Sequence, residues 1–266
     1  YMKSLQRPLE GYWWGYMELL KVDNLRKTFK KHKVNAVDSV SFSIFKGEVL
    51  GLVGESGCGK STLARLILRL IDADRGSVFY KDRDLLRISN NDMRDSRKYL
   101  QIIFQDPYAS LDPRMKIGEI IEEVYDIHKN VSGLEKKHKA TELLETVGLG
   151  NAYLTRLPSE LSGGERQRVG IARALATDPE FIICDEPVSS LDISIQAQIL
   201  NLLMDIQKRK NLTYLFISHD LGVIGSICDR VMVMQSGRFV ETGHCEAIFK
   251  NPQHEYTKTL LKSSIL

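Results

Sequence analysis

The stretch Gly54-Glu-Ser-Gly-Cys-Gly-Lys-Ser-Thr62 is the strongest indication of the fold, because three glycines, a lysine and three hydroxyl residues lie between two predicted elements. Before it, the mostly apolar run Glu48 to Val53 predicts a buried parallel strand. After it, apolar residues at the spacing of a helix with one buried face are Leu63, Leu66, Ile67, Leu70 and Ile71. Strand, glycine loop and helix form the arrangement in which backbone N–H groups cradle phosphates.

Each residue type in this loop suits one task. The glycines let the backbone turn its N–H groups inward, Lys60 reaches the β and γ phosphates, and the Ser61 hydroxyl ligates Mg²⁺. The nucleotide-binding candidates are Gly54, Glu55, Ser56, Gly57, Cys58, Gly59, Lys60, Ser61 and Thr62. The loop therefore predicts a triphosphate site with Mg²⁺, and by itself it leaves kinases, GTPases and ATPases open.

Two acidic residues follow a second predicted strand. Phe181 to Cys184 is an uninterrupted apolar run, and Asp185 and Glu186 come directly after it. This places both carboxylates at the carboxyl edge of a sheet, where open α/β sheets bind ligands. Asp185 suits the metal shell, and Glu186 could polarise the attacking water, a contribution of about 10² to 10⁴ in rate.

Two more polar side chains follow predicted strands. His219 comes shortly after the apolar run Tyr214 to Ile217, and Gln105 follows Leu100 to Phe104. A neutral imidazole at this edge could contact the γ phosphate or orient the water. The Gln105 amide could contact Mg²⁺ or the water. The catalytic candidates are thus Glu186, His219 and Gln105, and the metal candidates are Ser61, Gln105 and Asp185.

These motifs together resemble those of the nucleotide-binding subunit of an ATP-binding cassette (ABC) transporter. In family order they are Walker A at Gly54 to Thr62, the Q-loop Gln105, the signature Leu161-Ser-Gly-Gly-Glu165, Walker B ending at Asp185-Glu186, the D-loop Ser189-Ser-Leu-Asp192 and the switch histidine His219. The resemblance covers almost everything from Met17 onward. It implies an α/β P-loop NTPase fold with a mostly parallel core sheet, an N-terminal antiparallel β portion and an inserted α-helical subdomain.

The resemblance also implies the domain organisation. We expect one nucleotide-binding domain over 17–266, with its core at about 17–105 and 165–245, a helical subdomain at about 106–164 and a short C-terminal segment, 246–266. The surface near Tyr108 to Met115 would receive a permease. Helices are predicted at Ile117 to His128 and Leu134 to Val147. Residues 1–16, with several aromatics, are expected to be a peripheral or disordered extension, a tag remnant or a membrane-surface patch.

The implied mechanism needs two cassettes. In the family two such domains meet head to tail, and each ATP lies between the Walker A loop of one subunit and the signature of the other. The residues that would contact ATP from the second subunit are Ser162, Gly163, Gly164, Glu165 and Asp192. Phe29 occupies the stretch in which an aromatic residue stacks on adenine, although core packing would explain it equally well.

Four longer strings are similar to the oligopeptide, dipeptide and nickel importer ATPases: 53–60, 103–113, 193–203 and 251–257. This implies peptide uptake, with nickel or another chelated metal as the alternative cargo. The implied partners are a related ATPase chain or a second copy, two transmembrane permeases and an extracytoplasmic binding protein, at the cytoplasmic face of the membrane. Two positions depart from the family: Glu165 replaces a glutamine and Glu255 a proline. Because the family's cysteine-bearing tail is missing after Tyr256, no iron–sulfur cluster is expected.

Composition sets limits on other functions. The chain has 266 residues and a formal net charge of +3, far from the charge of a nucleic-acid groove. The cluster Arg26, Lys27, Lys30, Lys31 and Lys33 is predicted to be a solvated loop, and no run is long and apolar enough for a bilayer. Three alternatives remain: a non-transport ABC ATPase, a small-molecule kinase and a regulatory nucleotide-binding module. The first of these would need long arms or a second cassette in the chain.

Overall fold

The computed structural model describes residues 17–29, 34–128 and 131–263, so the predicted extension 1–16 lies outside the described residues. The strands are β1 (Glu18–Phe29), β2 (Val34–Phe45), β3 (Val49–Val53), β4 (Arg75–Tyr80), β5 (Arg83–Asp84), β6 (Leu100–Ile103), β7 (Phe181–Asp185), β8 (Thr213–Ser218), β9 (Arg230–Gln235) and β10 (Arg238–His244). The α-helices are α1 (Lys60–Ile67), α2 (Asn90–Ser96), α3 (Pro107–Ser110), α4 (Ile117–His128), α5 (Gly133–Thr146), α6 (Gly163–Leu175), α7 (Ile193–Lys210), α8 (Leu221–Ile227), α9 (Cys245–Lys250) and α10 (Glu255–Ser263).

The strands form two sheets. The first is antiparallel, in the order β2-β1-β4-β5, and the second has the order β10-β9-β3-β8-β7-β6. In the second sheet every neighbouring pair is parallel except β10 with β9. Its inner strands β3, β7 and β8 are buried along their whole length, as expected for parallel strands with both faces covered. The predicted α/β fold with a mostly parallel sheet and an antiparallel portion is confirmed.

The antiparallel sheet corrects two predictions. The sequence Met17-Glu-Leu-Leu-Lys-Val22 predicts a first strand, but β1 begins at Glu18 and continues to Phe29, with several irregularities in its register to β2. Arg26 and Lys27 therefore belong to a strand and not to a solvated loop. Each of them faces an aspartate: Arg26 lies 3.7 Å from Asp38 and Lys27 lies 3.4 Å from Asp74. The other three lysines of the basic cluster lie outside the described residues.

Helix α1 is shorter than its apolar spacing predicts. Leu63, Leu66 and Ile67 are fully buried, but Leu70 is 46% exposed and lies beyond the helix. The cause is Arg69, whose φ of 48° is left-handed and cannot continue an α-helix. Leu70 therefore leaves the predicted stripe, whereas Ile71, beyond the helix, still packs against the hydrophobic cluster.

Three consecutive helices between β6 and β7, α4, α5 and α6, pack against one another. The two predicted helices agree with α4 and, within a residue at each end, with α5. One apolar face of α6, with Val169, Ala172 and Leu175, is buried. Its arginines anchor this group: Arg168 donates to the Val147 carbonyl at 2.6 Å, and Arg173 donates to the Ser110 carbonyl at 2.7 Å. The exact limits of a helical subdomain remain a prediction.

Candidate active site

The parallel sheet brings the predicted site residues to one edge. Strands β3, β8, β7 and β6 are neighbours in this order, and their carboxyl ends are in register: Val53 pairs with Ser218, and Asp185 pairs with Ile217. The glycine loop leaves β3, His219 follows β8, Glu186 follows β7 and Gln105 follows β6. Sheet topology alone thus places four chain segments around one opening.

Glycines shape the loop between β3 and α1. Gly54 and Gly59 have φ angles of 155° and 116°. A Cβ on Gly54 would lie 2.2 Å from the Met234 carbonyl oxygen, and one on Gly59 would lie 2.0 Å from the Ala36 carbonyl oxygen. A side chain at either position would therefore overlap the backbone of a neighbouring strand. Glycine is required there for close approach as well as for its φ angle.

Lys60 is the first residue of α1 and is almost fully buried. Its ammonium donates to the carbonyl oxygens of Gly54 at 2.7 Å and Glu55 at 3.0 Å. The Glu186 carboxylate lies 3.9 Å away. The loop carbonyls thus hold a buried cation at the N-terminus of a helix, where backbone N–H groups add partial positive charge. This combination attracts an anion such as a phosphate.

The two carboxylates at the carboxyl end of β7 have different environments. Asp185 is buried, and its carboxylate accepts a hydrogen bond from the Ser61 hydroxyl at 3.1 Å. Burial raises the pKa of Asp185, and the Ser61 hydrogen bond opposes that rise. Glu186 has a left-handed φ of 47°, which turns its side chain away from the course of the strand. The two neighbouring acids therefore do not share one set of partners.

Glu186 brings the predicted catalytic residues together. One of its carboxylate oxygens accepts a hydrogen bond from the Gln105 amide at 3.1 Å. The same oxygen lies 3.1 Å from Nδ1 of His219. Gln105 also lies 3.4 Å from the Ser189 hydroxyl, at the start of the predicted D-loop. One glutamate is thereby held between an amide, an imidazole and the nearby lysine ammonium.

These residues line one cavity of about 730 Å³. Its predicted members are Phe29, Ser56, Gly57, Gly59, Lys60, Ser61, Thr62, Gln105, Glu186 and His219. Phe29 is 41% exposed and so is not a core residue. Val34 and Ala36 line the cavity together with Phe29, although no motif of the sequence indicates them. Small apolar residues at the start of a strand carry no chemical signal by which they could have been found.

Three loop residues predicted to bind nucleotide are not among those lining the cavity: Gly54, Glu55 and Cys58. Gly54 and Glu55 hold Lys60 through their carbonyl groups. The Cys58 thiol is buried, and burial raises its pKa. Nucleotide contact by these three residues stays a prediction.

The predicted signature forms the start of α6. Ser162 is the N-cap, and its hydroxyl accepts a hydrogen bond from the Glu165 N–H at 3.3 Å. The Glu165 carboxylate accepts from the Ser162 N–H at 2.7 Å and from the Tyr153 hydroxyl at 2.5 Å. A Cβ on Gly164 would lie 2.6 Å from the Ile195 side chain, so this glycine permits close packing of α6 on α7.

The signature and the predicted D-loop aspartate are not among the residues that line the cavity of their own chain. Asp192 is instead the N-cap of α7: it accepts from the Ile195 N–H at 3.0 Å and the Ser194 hydroxyl at 2.7 Å. These hydrogen bonds lower the pKa of the Asp192 carboxyl. In the single chain Ser162 and Asp192 therefore have capping roles, and nucleotide contact by the signature and Asp192 stays a prediction.

Comparison with known proteins assigns this geometry to a family. The sequence profile described as "ABC transporter" matches residues 37–189, more than half of the chain. The chain belongs to the ABC transporter family. The matched residues include the glycine loop, Gln105, the signature and both carboxylates at the end of β7. Cassettes of this family bind and hydrolyse ATP.

This ABC transporter chain is similar to several curated proteins over most of its length. It is 51% identical over 250 residues to "Oligopeptide transport ATP-binding protein OppF" of Bacillus subtilis (strain 168). The aligned region covers 92% of this chain and 82% of that protein. It is 48% identical over 235 residues to "Dipeptide transport ATP-binding protein DppF" of Haemophilus influenzae, covering 88% of this chain and 72% of that protein.

Solved structures of ABC cassettes share the fold. The dimeric post-hydrolysis structure of the ATP-binding cassette MJ0796 bound to ADP and Pi matches with a TM-score of 0.78 and 28% identity, over 85% of this chain and 99% of that one. The ADP conformation of the cassette MJ1267 matches with a TM-score of 0.76 and 27% identity, over 91% and 99%. No helix within residues 17–29, 34–128 and 131–263 combines the length and apolar character needed to span a bilayer.

Proposed function

We propose that this chain is the ATP-hydrolysing subunit of a peptide importer, and that closure of two cassettes on ATP drives uptake through separate permeases. One observation carries the enzymatic part of the proposal: the Glu186 carboxylate lies between Gln105 and His219 and 3.9 Å from Lys60, in one cavity. A positioned carboxylate beside a phosphate-binding lysine is the arrangement that hydrolysis of a phosphoanhydride needs.

The proposed roles follow from these contacts. Lys60 exchanges its loop carbonyls for the β and γ phosphate oxygens, because a charged acceptor forms the stronger hydrogen bond. Glu186 accepts the proton of the attacking water as general base. His219 and Gln105 orient the Glu186 carboxylate and, with it, the water. Phe29, which lines the same cavity, is proposed to stack on the adenine ring.

Ser61 and Asp185 fit a magnesium ion. They offer a hydroxyl and a carboxylate oxygen 3.1 Å apart, and Mg²⁺ is held in proteins by one or two such oxygens together with waters and phosphates. When bound, Mg²⁺ neutralises charge on the phosphates and positions them for attack. A metal contact by Gln105 is also proposed, although its amide nitrogen donates to Glu186 here.

The second half of each ATP site is proposed to come from another cassette, either a related chain or a second copy. Ser162, Gly163 and Gly164 start a 13-residue helix whose N-terminal N–H groups can complete the γ-phosphate shell. Glu165 and Asp192 flank this surface and are proposed to contact nucleotide across the interface. The MJ0796 cassette, a protein of the same fold, is a dimer in its structure with ADP and Pi, which supports pairing of two cassettes.

The proposed cargo is peptide. The relatives at about half identity are named as oligopeptide and dipeptide transport ATP-binding proteins, which supports peptide over nickel or another chelated metal. We propose two permeases, a substrate-binding protein outside the membrane and a place at the cytoplasmic face. Tyr108 and Arg114 are exposed close to Gln105 in the chain, and this surface is the proposed permease contact.

The test of ATP hydrolysis compares wild type with Glu186→Gln in steady state with Mg-ATP. We expect turnover by the wild type, a loss of at least about 10²-fold in the variant, and retained ATP binding. Glu246→Gln, at an exposed glutamate on α9, is the control and should hydrolyse normally. Equal turnover by Glu186→Gln and wild type would remove Glu186 from the proposed role.

Two further measurements address assembly and cargo. Size-exclusion of Glu186→Gln in ATP should show a dimer, alone or mixed with a related cassette. ATP binding without turnover by the wild type, both alone and mixed with a related cassette, would favour the regulatory alternative. The importer reconstituted in vesicles should accumulate labelled peptide only with ATP. Accumulation of a nickel chelate instead would reassign the cargo and leave the ATPase assignment in place.

A further inference from the structure

One hydrogen bond reaches the phosphate loop from the C-terminal helix. The Tyr256 hydroxyl, in α10, accepts a hydrogen bond from the Glu55 N–H at 3.0 Å. The two residues are 201 positions apart in the chain. Neither the motifs of the nucleotide site nor the proposed hydrolysis mechanism uses Tyr256. The contact therefore needs its own explanation.

Helix α10 is fixed to the sheet, so the hydroxyl has a defined position. The Glu241 carboxylate, in β10, accepts hydrogen bonds from the N–H groups of Gln253 at 2.8 Å and His254 at 3.1 Å. On the helix itself Thr257 is completely buried and Leu260 is 9% exposed. The ring of Tyr256 packs against the large hydrophobic cluster to which Leu260 belongs. Only its hydroxyl end reaches the loop.

The bond acts on the peptide group that holds Lys60. The Glu55 N–H and the Gly54 carbonyl belong to one planar peptide unit and point in opposite directions. On one side the carbonyl accepts from the Lys60 ammonium at 2.7 Å, and on the other the N–H donates to Tyr256. Rotation of this peptide would break both bonds. Because glycine has a wide conformational freedom, the two bonds restrict a peptide that Gly54 itself leaves free to rotate.

We propose that Tyr256 is a positioning residue for ATP binding, which holds the Gly54–Glu55 peptide so that Lys60 and the loop N–H groups are oriented before nucleotide arrives. This inference rests on the proposed function as an ATPase. It gives α10 a role at the nucleotide site, where the site motifs alone give it none. Loop preorganisation contributes equally to ground-state and transition-state binding, so its loss raises KM and leaves kcat unchanged.

The test is Tyr256→Phe, which keeps the ring and removes only the hydroxyl. We expect the Kd for a non-hydrolysable ATP analogue and the KM for ATP to rise about two- to tenfold, the range that one net hydrogen bond provides. The kcat should stay within about twofold of wild type. Tyr99→Phe, at a half-exposed tyrosine that stacks on Tyr80, is the matched control and should change neither constant.

A second variant tests the anchor. Glu241→Gln loses one of the two acceptor oxygens that hold the start of α10, and its KM for ATP should rise in the same direction by a smaller factor. An unchanged Kd and KM in Tyr256→Phe, with wild type hydrolysing ATP, would overturn this inference alone. A fall in kcat at unchanged KM would overturn it as well. Failure of the wild type to bind ATP would contradict the proposed function itself.

Discussion

At the scale of single residues, two glycines of the loop have different physical requirements. Gly57 has a φ of 81° but no atom within 4 Å of the position that a Cβ would occupy, whereas Gly59 combines a φ of 116° with the Ala36 carbonyl at 2.0 Å. Gly57→Ala should therefore cost only the backbone strain, about 1–2 kcal/mol. Gly59→Ala adds steric overlap and should cost about 1–3 kcal/mol more.

Urea unfolding of the two alanine variants measures this difference, and ATP binding should be weaker in Gly59→Ala because Ala36 lines the cavity. Equal losses of unfolding free energy in both variants would show that the loop moves away from β2 at no cost.

Glu165 is the signature residue that departs from the family's glutamine, and the structure explains why the charge is tolerated. Both carboxylate oxygens are engaged at the start of α6, one by Tyr153 and one by the Ser162 N–H. We expect Glu165→Ala to lose about 1 kcal/mol of unfolding free energy through the lost capping box, and Glu165→Gln to lose about 0.3–1 kcal/mol. Urea unfolding at neutral pH measures both.

The same residue predicts a pH dependence. The hydrogen bond from Tyr153, followed by those from Ser162, lowers the pKa of Glu165 below its ordinary value of 4.5. A carboxyl with a lowered folded pKa stabilises the fold above its unfolded pKa and loses this effect as the pH falls through the folded pKa. The stability difference between wild type and Glu165→Gln should therefore be constant above about pH 5 and shrink below 4.5. A difference that grows in acid would contradict this assignment.

At the scale of elements, the carboxyl ends of the parallel strands could be predicted, because apolar runs that end in polar residues mark them directly. Strand β7 ends at Asp185, as its sequence indicates. The end of α1 and the extent of β1 could not be predicted. The first depends on the left-handed φ of Arg69, and the second depends on pairing with strands remote in the sequence. Local periodicity contains neither piece of information.

The link between the two sheets depends on a buried ion pair. Glu48, before β3, is almost fully buried and binds the Arg230 guanidinium of β9 at 2.6 and 3.2 Å. Arg230 also donates to the Ser43 carbonyl of β2 at 2.7 Å. Arg230→Met leaves the Glu48 charge buried without its cation and should cost about 3–5 kcal/mol in urea unfolding.

The matched control is Arg238→Met, because the Arg238 side chain is 71% exposed in its pair with Asp38. It should cost about 0–1 kcal/mol. Adding Glu48→Gln to Arg230→Met should restore part of the loss, since the uncompensated charge is then removed. No recovery in the double variant would mean that packing of the arginine stem, and not charge, holds the sheets together.

At the scale of the whole molecule, sequence analysis could name the residues at the sheet edge but not their partners. Gln105 and His219 were each predicted to contact phosphate, metal or water, whereas the structure shows both on the Glu186 carboxylate. The Tyr256 bond to the loop could not be predicted either, because it joins segments about 200 residues apart and no motif encodes its distance. Such contacts depend on how the two ends of the chain pack.

The proposed composite site leads to a complementation experiment. Lys60→Ala removes the loop cation and leaves the signature intact. Gly163→Asp does the reverse: an acidic residue is favourable at a helix N-terminus, so α6 forms, but its carboxylate repels phosphate. Gly163→Asn, of the same size but uncharged, is the control. Each defective chain should be inactive alone, and Gly163→Asn should be more active than Gly163→Asp.

If each ATP lies between the loop of one chain and the signature of another, a dimer of Lys60→Ala with Gly163→Asp holds one intact site. Random mixing then makes half of the dimers mixed, each with one of two sites working, so about a quarter of wild-type turnover should return. If loop and signature acted within one chain, both defects would persist in every dimer and the mixture would stay inactive. The signature residues do not line the cavity of their own chain, which favours recovery.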